Sequence, residues 1–106
     1  DHDGNQIAYT AVYTGSATAY TAPAGSFTAT GRPAQYGNVA VNPDLIPYGS
    51  RLYICSPDGS YVYGYAVAAD TGGALMSGSA LVDVYFDTLS ECYGFGRRTL
   101  SVYILA

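Results

Sequence analysis

Lysine is missing from this chain altogether, and so is tryptophan. Acidic residues outnumber arginines eight to four, for a net charge of −4. Phosphate backbones need a basic footprint, so nucleic acid is excluded as a natural partner. Charged residues make up only 11% of the chain, against about 25% in an average soluble domain. Ser, Thr, Gly, Asn and the hydroxyls of twelve tyrosines must therefore keep the surface wet. No apolar run approaches the roughly 20 residues of a membrane helix, which argues against membrane insertion. Histidine occurs once, as His2, and the two cysteines form no Cys-x-x-Cys pair, so a zinc set cannot be assembled. Asp1, Asp3 and Asn5 have the spacing that opens a calcium loop, but Gln6 stands where glycine is required and Val12 where Glu is. We therefore expect no metal and no organic cofactor. The chain opens on Asp1 rather than Met, and an upstream leader or region is expected to have been removed.

What the chain does have is 49% apolar residues in 106 positions, enough for one core and one domain. Residues 1–12 read as a polar tail or linker with a possible extra strand, and 13–106 as the folded domain. Short β-branched and aromatic runs are expected as strands at 7–13, 16–21, 38–41, 51–55, 61–69, 80–86 and 99–105, separated by Gly and Pro turns. One helix is expected near 88–93, with Thr88 and Glu91 as a capping box and Gly94 and Gly96 ending it. Many short strands with one helix predict a compact, mainly β barrel. Cys55 and Cys92 are either two buried thiols or one disulfide tying a strand end to the helix. The lysine-free, hydroxyl-rich composition favours the disulfide of an extracellular protein.

Two carboxylates stand out. Alternation along 80–86 places Val82, Val84 and Phe86 on one face and Leu81, Asp83 and Tyr85 on the other. A partly buried Asp83 would be pushed toward its protonated form, as a general acid near neutral pH requires. A solvent-facing Asp83 making a local bond is the alternative. Asp70 closes an apolar run and precedes Thr71, Gly72 and Gly73, a placement that suits a working group or a simple Asx turn. Asp70-Thr71-Gly72 also matches the aspartic protease triplet, but no convincing flap hairpin follows at the right distance. Tyr61, Tyr63 and Tyr65 would share one strand face, either packed against neighbouring strands or offered as a platform for sugar rings. Arg51 either orients an anionic ligand or merely lines the surface.

A series of blocks occurs in order: Ala-Thr-Ala-Tyr-Thr at 17–21, Thr-Ala-Thr-Gly at 28–31, Val-Ala-Val-Asn-Pro at 39–43, Ile-Pro-Tyr-Gly at 46–49, Arg-Leu-Tyr-Ile at 51–54, Ala-Val-Ala-Ala-Asp-Thr-Gly-Gly-Ala at 66–74, Val-Asp-Val-Tyr-Phe at 82–86, Gly-Arg-Arg at 96–98 and Val-Tyr-Ile-Leu at 102–105. Over residues 16–106 this series resembles the 3D (three-aspartate) domain of Gram-positive stationary-phase survival and resuscitation-type proteins. It is also similar to the catalytic barrel of membrane-bound lytic transglycosylases. The resemblance implies a six-stranded double-psi β-barrel that works on peptidoglycan glycan strands outside the cell or at the cell wall. It implies Asp83 as the catalytic acid and base and Asp70 as its partner. It places Asn42, Thr71, Gly72, Gly73, Tyr20 and Thr30 around the substrate. The chain departs from the family pattern at Asn42, where the first aspartate is expected, and at Met76, where a lysine is usual. The alternative is therefore a barrel that binds cell-wall glycan without cutting it, and a third is a structural or protein-interaction role. Small barrels with strand-like ends can exchange segments, so a monomer or a swapped homodimer is expected.

Overall fold

The computed structural model describes residue 1 and residues 3–106. Six strands close into a barrel in the order β1-β5-β2-β4-β3-β6. They are β1 (Tyr9–Tyr20), β2 (Asn38–Val41), β3 (Arg51–Cys55), β4 (Val62–Asp70), β5 (Val82–Tyr85) and β6 (Arg98–Leu105), with helices α1 (Gly73–Ser77) and α2 (Leu89–Phe95). The pairs β1–β5 and β2–β4 are parallel and the other four are antiparallel. The expected mainly β, six-stranded barrel is thus the fold. The sequence predicts one helix, and the described residues form two. α1 is only five residues long, and Gly72, its N-cap, offers no side-chain cap, so no sequence signal marks it.

The two runs expected at 7–13 and 16–21 are one continuous strand, beginning at Tyr9. Gly15 does not break it; it pairs with Leu100 of β6. A Cβ at that position would stand 3.1 Å from Cβ of Leu81, so glycine there permits close approach rather than a turn.

The barrel is filled by alternate residues: Ala17, Val39, Val41, Leu52, Ile54, Ala68, Val82, Val84, Leu100 and Val102 are fully buried. Phe86 and Phe95 join them, the latter sealing one end from α2. Burial of such side chains, at roughly 1.5–3 kcal/mol each, is the main source of stability. A smaller cluster of Ala40, Leu75 and Ala80, flanked by Tyr20, lies outside the barrel under α1.

β4 departs from the expected alternation. Gly64 has φ +106, a conformation that favours glycine, and the register with β3 shifts there. The bulge turns Tyr63 into the core, 4% exposed, while Tyr65 is 51% exposed. Tyr61 packs edge-on against Phe95. The three tyrosines therefore do not form one platform. The Tyr63 hydroxyl donates to the Tyr85 carbonyl (2.8 Å) and accepts from Gly37 N (2.9 Å).

Cys55 and Cys92 are free thiols, contrary to the expected disulfide. Cys55 ends β3, whereas Cys92 lies on α2, which packs on β1. β6 intervenes between β1 and β3, and a disulfide needs Cα atoms within about 7 Å. At the N-terminus the Asp1 carboxylate accepts from the amides of Asp3 (3.0 Å) and Asn5 (3.1 Å), an Asx-type turn rather than a calcium loop. His2 lies outside the described residues. Among the described residues no helix is long and apolar enough to cross a membrane, and no cluster of potential metal ligands occurs.

Candidate active site

The two acids are brought together by β2. Ala40 pairs with Asp83 of β5 on one side and with Asp70 of β4 on the other. Thr18 of β1 pairs with Asp83 in turn. One rung therefore runs Thr18, Asp83, Ala40, Asp70 across four strands. Val82, Val84, Val39 and Val41 point into the barrel, so alternation turns Asp83 and Ala40 to its outside. A strand spacing of about 4.8 Å puts the acid-bearing backbones roughly 10 Å apart, with only a methyl group between them.

The acids are held differently. Asp83 is half-buried and takes one hydrogen bond, from the Thr18 hydroxyl to its Oδ1 (2.9 Å). Burial pushes its carboxyl up from the ordinary value, the Asp70 charge adds to this, and the Thr18 bond opposes it. Asp70 Oδ1 accepts from the amides of Ala29 (3.0 Å) and Thr71 (2.9 Å). Ala29 belongs to a loop anchored through Thr30, whose amide and hydroxyl both donate to the Ala69 carbonyl, at 3.2 and 2.9 Å. Tyr20 stands beside both acids: burial, then the charges of Asp70 and Asp83, push its phenol up. Its hydroxyl donates to the Asn38 carbonyl (3.2 Å).

The other residues expected here divide. Thr71 lies beside Asp70, and its Oγ1 is buried without a protein hydrogen-bond partner. Leaving such a hydroxyl unsatisfied costs roughly 1–3 kcal/mol. Gly72 and Gly73 have no left-handed backbone to supply; Gly72 is extended and caps α1, and space is open around Gly73. Asn42 faces a different neighbourhood. Its Oδ1 accepts from Asp44 N (2.9 Å), and it lines a groove with Leu45, Leu75 and Leu81. Among the described residues no hydrogen bond joins Asn42 to either acid. Arg51 donates to the Ala106 carbonyl (2.8 Å) on the other side of β4.

Thr18 carries no sequence signal and was missed; only its pairing with Asp83 reveals it. So was the groove beside it. Thr18, Tyr20 and Thr21 of β1 and its exit form one wall, and Leu89, Cys92 and Tyr93 of α2 the other, enclosing about 490 Å³. Tyr93 is 80% exposed. The Cys92 thiol is pushed up by burial and then by the Asp83 charge. α2 is set by Thr88, whose Oγ1 accepts from Glu91 N (3.1 Å) and donates to Glu91 Oε1 (2.9 Å).

The 3D domain family model matches residues 37–106, a span that takes in both acids. The chain belongs to the 3D domain family. Two proteins of Bacillus subtilis (strain 168) are each 39% identical to this 3D domain. One is YabE, named for cell wall shaping, over 89% of this chain and 23% of its own length. The other is YocH, named a cell wall-binding protein, over 85% of this chain and 31% of its own. The 3D domain thus spans about a quarter to a third of these relatives. Among solved structures, the crystal structure of MltA from E. coli superimposes with a TM-score of 0.61 at 25% identity, over 78% of this chain and 28% of that one. A variant of the same lytic transglycosylase, in an apo form, gives 0.60 at 23% identity, over 76% and 27%. The barrel of the 3D domain is therefore MltA-like.

Proposed function

We propose that this 3D domain cleaves the bond between N-acetylmuramic acid and N-acetylglucosamine in peptidoglycan without water, leaving 1,6-anhydro ends. The observation that carries this reading is the half-buried Asp83, its carboxyl pushed up by burial, on one rung with Asp70 and beside an open groove. Protonated Asp83 donates to the glycosidic oxygen, and the C1–O bond breaks, its electron pair leaving with the N-acetylglucosamine. The muramyl C1 becomes oxocarbenium-like. Ionised Asp83 then takes the proton of the muramyl C6 hydroxyl as that oxygen closes on C1. One carboxyl serves both steps, unlike the two-carboxylate scheme of ordinary glycosidases. Asp70, fixed by two amides, stabilises the positive charge, and the Thr71 hydroxyl supplies a hydrogen bond to the sugar. Tyr20 and the loop carrying Thr30 shape the substrate side, and no cofactor takes part. The resemblance to MltA and the cell-wall names of YabE and YocH support a peptidoglycan substrate and a place outside the cell or at the wall.

The test is incubation of the domain with purified sacculi, followed by mass spectrometry. 1,6-Anhydromuropeptides are expected, and Asp83→Asn, still folded, should release none. Their absence at high protein load, with retention on sacculi, supports the second reading, a glycan-binding module. That reading is favoured by Asn42, which stands where the family pattern has its first aspartate, and by Met76, half-exposed where the family usually carries lysine. Whether the domain works as a monomer or a swapped homodimer is answered by sedimentation of the same sample.

A further inference from the structure

Along α2 and its C-cap, Leu89, Cys92, Tyr93 and Gly96 stand at i, i+3, i+4 and i+7, on one face of the helix, and all four line the groove beside Thr18. The helix has its core anchor elsewhere, in Phe95, which is buried and packs on Tyr61 and Phe86. Of the stripe only Cys92 also touches the core. Leu89 is 60% exposed and Tyr93 more so. Among the described residues no hydrogen bond or ring contact engages the Tyr93 side chain. Thr88 caps the start of the helix and Gly96, at φ +64, the end, so the ring is carried on a fixed scaffold. Thr18 links this face to the acids. Its hydroxyl holds Asp83, and the residue lines the groove. In the strand order β1-β5-β2-β4, Asp83 therefore lies between the groove on β1 and Asp70 on β4. None of the residues lining the groove is charged.

We infer that this groove seats the leaving sugar, the neutral N-acetylglucosamine on the reducing side of the cut bond, with one sugar face on the Tyr93 ring. The groove thereby fixes the direction in which a glycan strand lies across the rung of acids. The inference rests on the cleavage reading above for which sugars flank the bond. Positive charge develops on the muramyl ring, and Asp70 is the carboxylate that stabilises it, so the muramyl residue belongs on the β4 side. The oxygen that Asp83 protonates leaves with N-acetylglucosamine, which then falls on the β1 side, over Thr18 and α2. The chemistry of the groove agrees with this direction. A pyranose has an apolar C–H face and a hydroxyl rim. Tyr93 presents an apolar ring with a polar tip, and Thr18 and Thr21 on the facing wall bring hydroxyls for the rim. A muramyl residue carries a lactyl carboxylate or the peptide joined to it, and no cation lines the groove to meet an anion. Its volume of about 490 Å³ lies within the roughly 300–1,000 Å³ of small-ligand sites.

The experiment titrates the isotope-labelled 106-residue chain with chitotetraose, a neutral run of N-acetylglucosamine, and follows amide signals by NMR. Shifts are expected over residues 18–21 and 89–96. Tyr93→Ala should weaken binding by roughly three- to tenfold, while Tyr93→Phe keeps it. The side chain is exposed, so the alanine variant leaves the barrel intact. Direction is read with a nitroxide attached to the reducing end of the sugar. It should broaden residues 89–96 more than residues 27–31, the loop beside Asp70. In the cleavage assay on soluble glycan, Tyr93→Ala should raise KM by the same factor and leave the pH profile, which Asp83 sets, in place. The two readings fail separately. Binding with this seat and direction but without anhydromuropeptides overturns cleavage and leaves the seat standing. Cleavage with unchanged affinity in folded Tyr93→Ala, with shifts that spare α2, or with stronger broadening at 27–31, overturns the inference alone.

Discussion

Replacing Thr18 by valine removes one hydroxyl and little else, and it isolates what holds Asp83. Among the described residues the Thr18 hydroxyl is the one side-chain donor to that carboxylate, at 2.9 Å. Hydrogen bonds to charged groups contribute about 1.5–3 kcal/mol, and the half-open setting argues for the lower end. Thr18→Val should therefore slow anhydromuropeptide release about tenfold at its pH optimum, since about 1.4 kcal/mol is a factor of ten. The sign of the pH effect is opposite to that of the rate effect. The bond favours the ionised carboxyl, so its loss pushes the Asp83 pKa further up. The limb on which activity is lost with rising pH should move to higher pH. Urea unfolding should show a loss of about 1.5 kcal/mol at pH 7. The loss should shrink to about 1 kcal/mol below pH ~4, where the carboxyl is neutral in both states. Thr18→Ser, which keeps the donor, should restore both rate and profile. A limb that stays put or moves down, or a serine variant as slow as the valine one, refutes this account of Asp83.

Asp83→Asn should gain stability over wild type as pH rises from 3 to 7, followed by urea unfolding. With the folded pKa raised, the favourable protonated form is fully present below about pH 3.9 and is lost as pH climbs through the folded value. Gly64→Ala must hold a side chain at φ +106 with no steric clash to confuse the result, and should cost about 1–3 kcal/mol in the same assay. Thr88→Ala should cost about 1 kcal/mol and quicken amide exchange over 89–95, loosening the groove wall while the barrel core stays protected. Cys55 and Cys92 should titrate as two thiols in the unfolded, unreduced protein, and a reductant should leave the melting temperature unchanged.

The strands at 38–41 and 51–55 were legible to the residue, because β-branched and apolar runs there end in Pro or turn signals. The inward face of β5 followed from simple alternation, which left open whether Asp83 on the other face is partly buried or faces solvent. α2 was legible through Thr88 and Glu91. Alternation failed at Gly64, because a bulge is a property of two paired strands and leaves only an isolated glycine in the sequence. α1 was hidden because a five-residue helix with a bare glycine cap has no signal. The roles of Thr18 and Ala40 depend on which strands become neighbours, a long-range fact that no local pattern encodes. The cysteine expectation failed because composition reports a compartment and not a distance.

The first and last strands of the chain close the barrel on each other, β1 against β6, over most of their length. Nearly every contact that seals the molecule is thus non-local, which makes folding slow relative to a helical protein of this size. It also means that a ribosome must finish the final strand before residues 9–17 of β1 have their antiparallel partner. A chain cut short by even a few residues exposes a long tyrosine-rich edge, the kind of surface on which unfinished β proteins aggregate.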